Sequence, residues 1–368
     1  MTAFVPGLRL AEEFYGERVA PLLSAAFPGL RYGAALLGRG SEVLGFDDAM
    51  STDHDWKPRV QLFVGSGDLV ELGEAIDVCV RRDLAQEFRR RPVSVQVLSV
   101  EGYFEEQLAI DVGAEIDTLD WLTLPEHGLR MFTAGEVFHD EVGLQEVRDR
   151  LGYYPRDVWL YLLMAGWWRV HPELNLVGRT GFVGDELGSS LIGSQLVSDL
   201  MRLCFLMERQ YAPYSKWFGT AFARLSCAPA LTPTLESVLR AEDWRERERA
   251  LLRAYEQLAE LHNALGITAE VVLEPVRMWD RPFTVAWADF PTLLRAEIRD
   301  PAVADIADRW PVGPVDQFRH LLWPAPNRRR LLRFFHDEPP RPRLTSTLTQ
   351  ELADDTGASP CQDTYAVE

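Results

Sequence analysis

The chain has 368 residues, of which 47% are apolar, and a formal net charge of −18. This excludes a disordered chain and suggests two domains, each long enough to bury a core. So acidic a balance argues against nucleic acid as the main partner, because backbone binding needs clustered Lys and Arg. It leaves room for a nucleotide, whose charge a metal and a few local cations offset. Four scattered cysteines (Cys79, Cys204, Cys227, Cys361) with no CxxC pair suggest neither a zinc site nor a disulfide framework. The N-terminus has no basic start followed by an apolar core. The most apolar helical run, Val158 to Val170, is shorter than the roughly 20 residues a bilayer span needs. The expectation is a soluble cytoplasmic protein with no membrane partner.

In chain order, Leu8 to Phe27 reads as an amphipathic helix that stops at Pro28. Tyr32 to Leu37 is a first strand leading into Gly40-Ser41. Gly40 allows a tight turn and close backbone approach, and Ser41 with the amides around it could hold a phosphate. The alternative is an ordinary strand-ending turn, with Arg39 a surface residue beside it. Asp47 and Asp48 read as turn residues. Asp53-His54-Asp55 follows, then a second strand, Val60 to Val64, with Pro58 marking an edge or an interruption. Asp53 and Asp55, one residue apart, point the same way on an extended chain, and His54 points away. Mg²⁺ takes one or two carboxylates together with substrate phosphates. The stretch therefore reads as a Mg²⁺–triphosphate site, the alternative for Asp53 being a local cap with Ser51 and Thr52.

Leu69 to Arg90 reads as a helix closed by Pro92, and Val93 to Val100 as a third strand. Glu106 to Glu126 is a less regular acidic connection, and Met131 to Phe138 a last strand or short helix. His139-Asp140-Glu141 reads as the acidic start of a helix rather than as a histidine site. From Pro155 the periodicity becomes helical. Asp157 to Val170 is apolar on nearly every side and should lie at the centre of a bundle, ended by Pro172. Asn175 to Val183 reads as a loop, and Asp185 as the N-cap of a helix to Arg209. On that helix Gln195, Asp199, Arg202 and Arg209 form one polar stripe, either solvated or facing a cleft. Tyr211 to Trp217 breaks the helix, and Leu235 to Leu265 is a long charged helix or helix pair. Shorter helices follow at Pro282 to Ile298, Pro314 to Trp323 and Asn327 to Phe335. Residues 337–368 read as a flexible tail.

Gly-Ser, eleven residues, then Asp-x-Asp resembles the signature of the polymerase-β-like nucleotidyltransferase superfamily. The longer blocks GSEVLGFDDAMSTDHDW and YAPYSKWFGTAFARL resemble a bacterial nucleotidyltransferase-like family of unknown function, over about Glu13 to Leu225. The resemblance implies an α+β fold: a nucleotidyltransferase-like mixed β-sheet with helices over residues 1–150, then an all-α helical bundle over 151–336. It also implies that a lysine of the second domain reaches the triphosphate, for which Lys216, flanked by Tyr214 and Trp217, is the candidate. Two positions depart from the pattern. Lys57 stands where a small residue is usual. The third strand carries Gln96 where a third carboxylate is usual, the nearest acid being Glu101.

The leading expectation is an enzyme that moves a nucleoside monophosphate from ATP or another NTP to a small-molecule acceptor. Asp53 and Asp55 would bind Mg²⁺. Gly40, Ser41, Lys216, Arg202 and Tyr214 would bind nucleotide, and Glu101 or Asp199 would be the general base. Two alternatives stand beside it. One is an acid/base enzyme of secondary metabolism, a cyclase or hydrolase that uses the scaffold without nucleotide. The other is a nucleotide-binding pseudoenzyme or sensor.

Overall fold

The structure is a computed structural model that describes residues 4–53, 56–84, 87–277, 281–309 and 313–314, with only the backbone of Asp53 and Trp287. The expected helices at Pro314 to Trp323 and Asn327 to Phe335 and the tail at 337–368 lie outside these residues. The chain divides into two compact units at Tyr153/Tyr154.

The first unit opens with α1 (Gly7–Phe14), a π-helical turn (Tyr15–Val19) and α2 (Ala20–Ala26). Pro21 explains the π turn. It has no N–H to give the Glu17 carbonyl, and its ring would press on that carbonyl in a regular helix, so the preceding turn widens. Strands β1 (Tyr32–Leu36) and β2 (Arg59–Val64), helix α3 (Ser66–Asp83) and strand β3 (Ser94–Leu98) follow. Next come α4 (Val100–Leu108), α5 (Thr118–Thr123), α6 (Glu126–Thr133), strand β4 (Glu136–Asp140) and α7 (Leu144–Arg150).

The four strands form one mixed sheet in the order β3-β2-β1-β4. β2 and β3 are parallel, with α3 as their crossover, and β1 is antiparallel to both β2 and β4. Alternation sends Val60, Leu62 and Val64 into a core with Leu10, Phe14, Leu23, Ile76 and Val80. The other face carries Gln61 and Phe63, the latter edge-on to Tyr103, which meets Phe132 in the same way. α3 stops at Asp83, short of the expected Arg90. Arg89 (φ 52°) and Arg90 (φ 64°) instead form a tight reversal between Phe88 and Arg91. Arg89 pairs with Glu13 and Glu17, and Arg91 lies over the Trp56 ring, which holds the reversal against helical propensity.

The second unit contains α8 (Arg156–Glu173), α9 (Leu176–Phe182), α10 (Glu186–Met207), α11 (Ser215–Phe222), α12 (Ala228–Arg240) and α13 (Trp244–Ala264). Strands β5 (Glu274–Arg277) and β6 (Thr284–Trp287) and helices α14 (Phe290–Glu297) and α15 (Pro301–Arg309) complete it. α8 is buried nearly all round, as its sequence requires, and the Trp159 Nε1 donates to the Leu206 carbonyl at 2.7 Å across to α10. Three expectations are corrected. α8 runs one residue past Pro172. The expected loop at Asn175 to Val183 is helical, because Gly178 and Gly181 let α9 seat against Phe283 and Trp244. The unit is not purely helical, since β5 and β6 pair as an antiparallel ribbon. The molecule as a whole is α+β.

Candidate functional site

β1 and β2 run antiparallel, with Tyr32 opposite Val64 and Ala35 opposite Gln61. The end of β1 and the start of β2 therefore share one edge of the sheet. There the Gly38–Ser41 loop meets the chain entering β2 through Asp53 and Trp56.

Several contacts hold this loop. Gly38 has φ +88° and donates its N–H to the Met131 carbonyl at 2.9 Å. A Cβ on Gly38 would lie 2.7 Å from the Tyr103 hydroxyl, so only glycine lets the ring in. Gln61 accepts the Leu37 N–H at 2.8 Å and donates to the Tyr103 hydroxyl at 3.0 Å, tying β1, β2 and α4 together. Gly40 has φ +136°, and a Cβ there would overlap the carboxylate of Glu42 and the guanidinium of Arg59. Those two groups pair at 2.8 Å, with Glu42 only 5% exposed. Arg59 Nη2 also donates to the Arg39 carbonyl. Past Ser41 the chain makes a helix-like turn, closed by Phe46 N–H to the Ser41 carbonyl at 2.8 Å.

Asp47 and Asp48 are turn and anchor residues. Asp47 accepts from the Gly7 N–H and Trp56 Nε1, and Asp48 accepts from the Met50 and Ser51 N–H groups. Residues Met50–Asp53 form a 3₁₀ turn. The Asp53 side chain and the whole of Asp55 and His54 lie outside the described residues.

Several arginines lie near the loop, one of them paired with Glu42. Arg39 is exposed on the loop itself, and Arg59 begins β2. Burial, with Arg130 and then Arg39 adding like charge, pushes His127 down to about 4, so it is neutral at pH 7. Burial likewise pushes Tyr103 up to about 12 although Gln61 and Arg59 oppose it. Arg39, Arg59 and Arg130 thus surround one loop of a chain with net charge −18. The sequence reading missed this cluster, because Arg130 is ninety positions from the loop and no local pattern joins them.

The other site residues fall elsewhere. β3 is parallel to β2, so Glu101, in the first turn of α4, lies at the opposite end of the sheet. Six strand residues at about 3.3 Å each put roughly 20 Å between the two ends. There Glu101 accepts from the Ser66 hydroxyl at 2.9 Å. Gln96 pairs in register with Gln61 and is exposed on the same face, so β3 supplies an amide and no carboxylate.

In the second unit the polar stripe is packed only in part: Gln195 is exposed, and Arg209 is exposed and lies past the end of α10. Asp199 is 7% exposed, accepts from Gln195 at 2.9 Å and lies 3.8 Å from Arg169. Arg169 is on the neighbouring helix α8. Arg202 lies over the Phe218 ring and Arg209 over Trp159. Tyr214 precedes α11, and Lys216 is exposed with its Nζ 4.7 Å from the Trp217 ring centre. His139 and Asp140 end β4, and Asp140 is the expected acid at the start of the next helix, accepting from the Leu144 and Gln145 N–H groups of α7. Burial raises the Asp140 carboxyl, but four N–H groups, from Val142 to Gln145, outweigh it and hold it below the usual range. A small apolar pocket lined by Trp167, His171, Tyr255 and Phe290 has a volume of about 20 Å³, room for little more than a water. No cluster of three or more His, Cys, Asp or Glu able to hold a metal occurs among the described residues.

Comparison with known proteins gives three findings. Residues 121–218 match the family model described as Domain of unknown function (DUF4037). That span takes in α5 to the start of α11 and leaves the Gly38–Ser41 loop outside. No curated protein matches. Among solved structures, the chain is similar to a nucleotidyltransferase-like protein from Exiguobacterium sibiricum 255-15, at 11% identity and a TM-score of 0.30, covering 76% of this chain and 97% of that one. At that score the likeness carries no argument.

Proposed function

We propose that the protein is a Mg²⁺-dependent nucleotidyltransferase that moves a nucleoside monophosphate from ATP or another NTP to a small-molecule acceptor. One observation carries this reading: the Gly38–Ser41 loop and the start of β2 meet at one sheet edge, among arginines. Asp53 and Asp55 would hold the metal. Two carboxylates are a donor set that Mg²⁺ accepts alongside phosphate oxygens, and with glutamines at positions 61 and 96 the set suits one ion better than two. When bound, the metal would neutralise and polarise the phosphates. The Gly40 backbone and Ser41 would cradle the phosphate chain, with the Tyr103–Gln61 brace keeping the loop in place.

A second reading, a nucleotide-binding pseudoenzyme or sensor, is favoured by the fate of the two candidate bases. Glu101 lies at the far end of the sheet, and Asp199 is buried and paired. Melting temperatures with and without Mg²⁺–ATP, together with nucleotide turnover on an acceptor panel, separate the readings. Ligand at 100 times its Kd stabilises the native state by about 2.7 kcal/mol. Wild type should show such a shift. Asp53→Asn and Asp55→Asn should lose it while melting no lower than wild type without metal, since each substitution relieves like-charge repulsion. If both variants melt lower in every buffer and wild type ignores Mg²⁺–ATP, the aspartates are structural and the proposal fails. A shift with no turnover supports the second reading.

A further inference from the structure

We propose that Arg59 is the phosphate-binding cation of the first unit and that the buried Glu42 is its positioning residue. This rests on the nucleotide reading above but assigns the triphosphate contact to a residue that neither the motif nor the second unit supplies.

The argument starts from how Arg59 is bonded. Both of its contacts, to the Glu42 carboxylate and to the Arg39 carbonyl, use Nη2. Nε is sealed from solvent and has no partner. Nη1 makes no hydrogen bond or ion pair among the described residues and is not among their buried unpaired atoms. The side chain is 27% exposed. A guanidinium whose role was only to neutralise a buried carboxylate would do so most strongly with two parallel N–H bonds. Here a single nitrogen serves both partners, and the open nitrogen keeps two donors for an incoming group.

The surroundings select the class of that group. Arg39 precedes Gly40 on the loop, and Arg130 precedes Met131, whose carbonyl accepts the Gly38 N–H at 2.9 Å. Gly40 brings the loop backbone against the Arg59–Glu42 pair with no side chain in between. The two N–H groups of one open guanidinium nitrogen, beside further arginines, match a phosphate chain better than a single carboxylate, because several oxygens share the charge. Glu42 keeps the guanidinium at the loop through the pair, and its negative charge also competes with the incoming anion.

The test uses the full chain with two probes, inorganic tripolyphosphate and Mg²⁺–ATP, and reads affinity by calorimetry and fold by melting temperature. Arg59→Gln alone would leave Glu42 buried and unpaired, so the informative variant is the double substitution E42Q/R59Q, which replaces the ion pair by two neutral amides. It should keep the wild-type circular dichroism and weaken tripolyphosphate at least tenfold. Glu42→Gln alone, which retains Arg59 but loosens its hold at the loop, should bind tripolyphosphate more weakly than wild type and more tightly than the double variant. A purely structural ion pair would instead lower the melting temperature in both variants and leave affinity unmoved. If wild type binds Mg²⁺–ATP and the double variant binds it equally, the assignment to Arg59 is wrong and the nucleotide reading survives. If wild type binds tripolyphosphate but not Mg²⁺–ATP, and the double variant loses the former, the anion site stands and the nucleotide reading falls. If wild type binds neither probe, both fall.

Discussion

At the scale of single residues, the ionisable groups that stand out are spent on structure in some places and left in tension in others. Asp140 ties down the turn after β4 with four N–H groups. Arg148 does the converse, donating to the carbonyls of Phe132, Thr133, Ala134 and Gly135 that end α6. Glu248 is the group in tension. Burial pushes it up to about 7, although the Thr284 N–H, Arg249 and Arg245 pull the other way. An unfolded glutamate titrates near about 4.3. The folded state therefore holds a proton that the unfolded state has lost, so the contribution of Glu248 to stability is fully present below about pH 4.3 and is lost as pH rises through 7. Glu248→Gln should remove this decline, gaining on wild type between pH 5 and pH 8 in urea unfolding. An unchanged gap between the two proteins at both pH values would mean that Glu248 ionises normally.

At the scale of elements, packing overrides propensity in α9. The sequence NLVGRTGFV carries two glycines and reads as a loop. It is helical because a Cβ at Gly181 would overlap Trp244, and one at Gly178 would lie 2.5 Å from the Cβ of Phe283. The missing methyl groups are what let α9 approach α13 and the ribbon. Intrinsic propensity says that Gly181→Ala should stabilise a helix by roughly 1 kcal/mol. Overpacking typically costs about 1–3 kcal/mol, and here the neighbour is the stem of a buried Trp that cannot swing aside. The expected outcome is net destabilisation, read as a lower urea midpoint at unchanged slope. A higher midpoint would mean that α9 is not seated on Trp244. The polar stripe that starts on α10 is a mixed case. Asp199 is buried against Arg169 on α8 and Arg202 lies on the Phe218 ring, while Gln195 and Arg209 stay exposed, so the stripe is solvated at some positions and packed at others.

For the whole molecule, the dominant fact is charge. A net −18 spread over two units works against compactness by self-repulsion, and salt screens it over a Debye length of about 10 Å at 0.1 M. Raising NaCl from roughly 0.01 to 0.15 M should therefore raise the melting temperature. A fall would show that surface ion pairs such as Arg81–Asp77 and Arg240–Glu236 outweigh the repulsion, against their ordinary worth of about 0–1 kcal/mol.

Local pattern alone determined a good deal. Short apolar runs placed β1, β2 and β3 within a residue or two, because such runs between turn residues are written in the strand itself. The cap at Asp185 and the all-round burial of α8 were legible for the same reason: each depends on residues within one or two turns. Gly40 and Ser41 were legible as a turn beside the incoming β2. Only the tertiary structure decided what depends on strand direction and on distant partners. The parallel pairing of β2 with β3 sends Glu101 to the wrong end of the sheet for the loop, and nothing in the spacing of residues 93–101 encodes that direction. The arginine cluster gathers positions 39, 59 and 130, and the ion pair beneath it joins positions 42 and 59. Sequence distance carries no trace of such contacts, because burial of the sheet's second face under α4 and α6 is what brings them together.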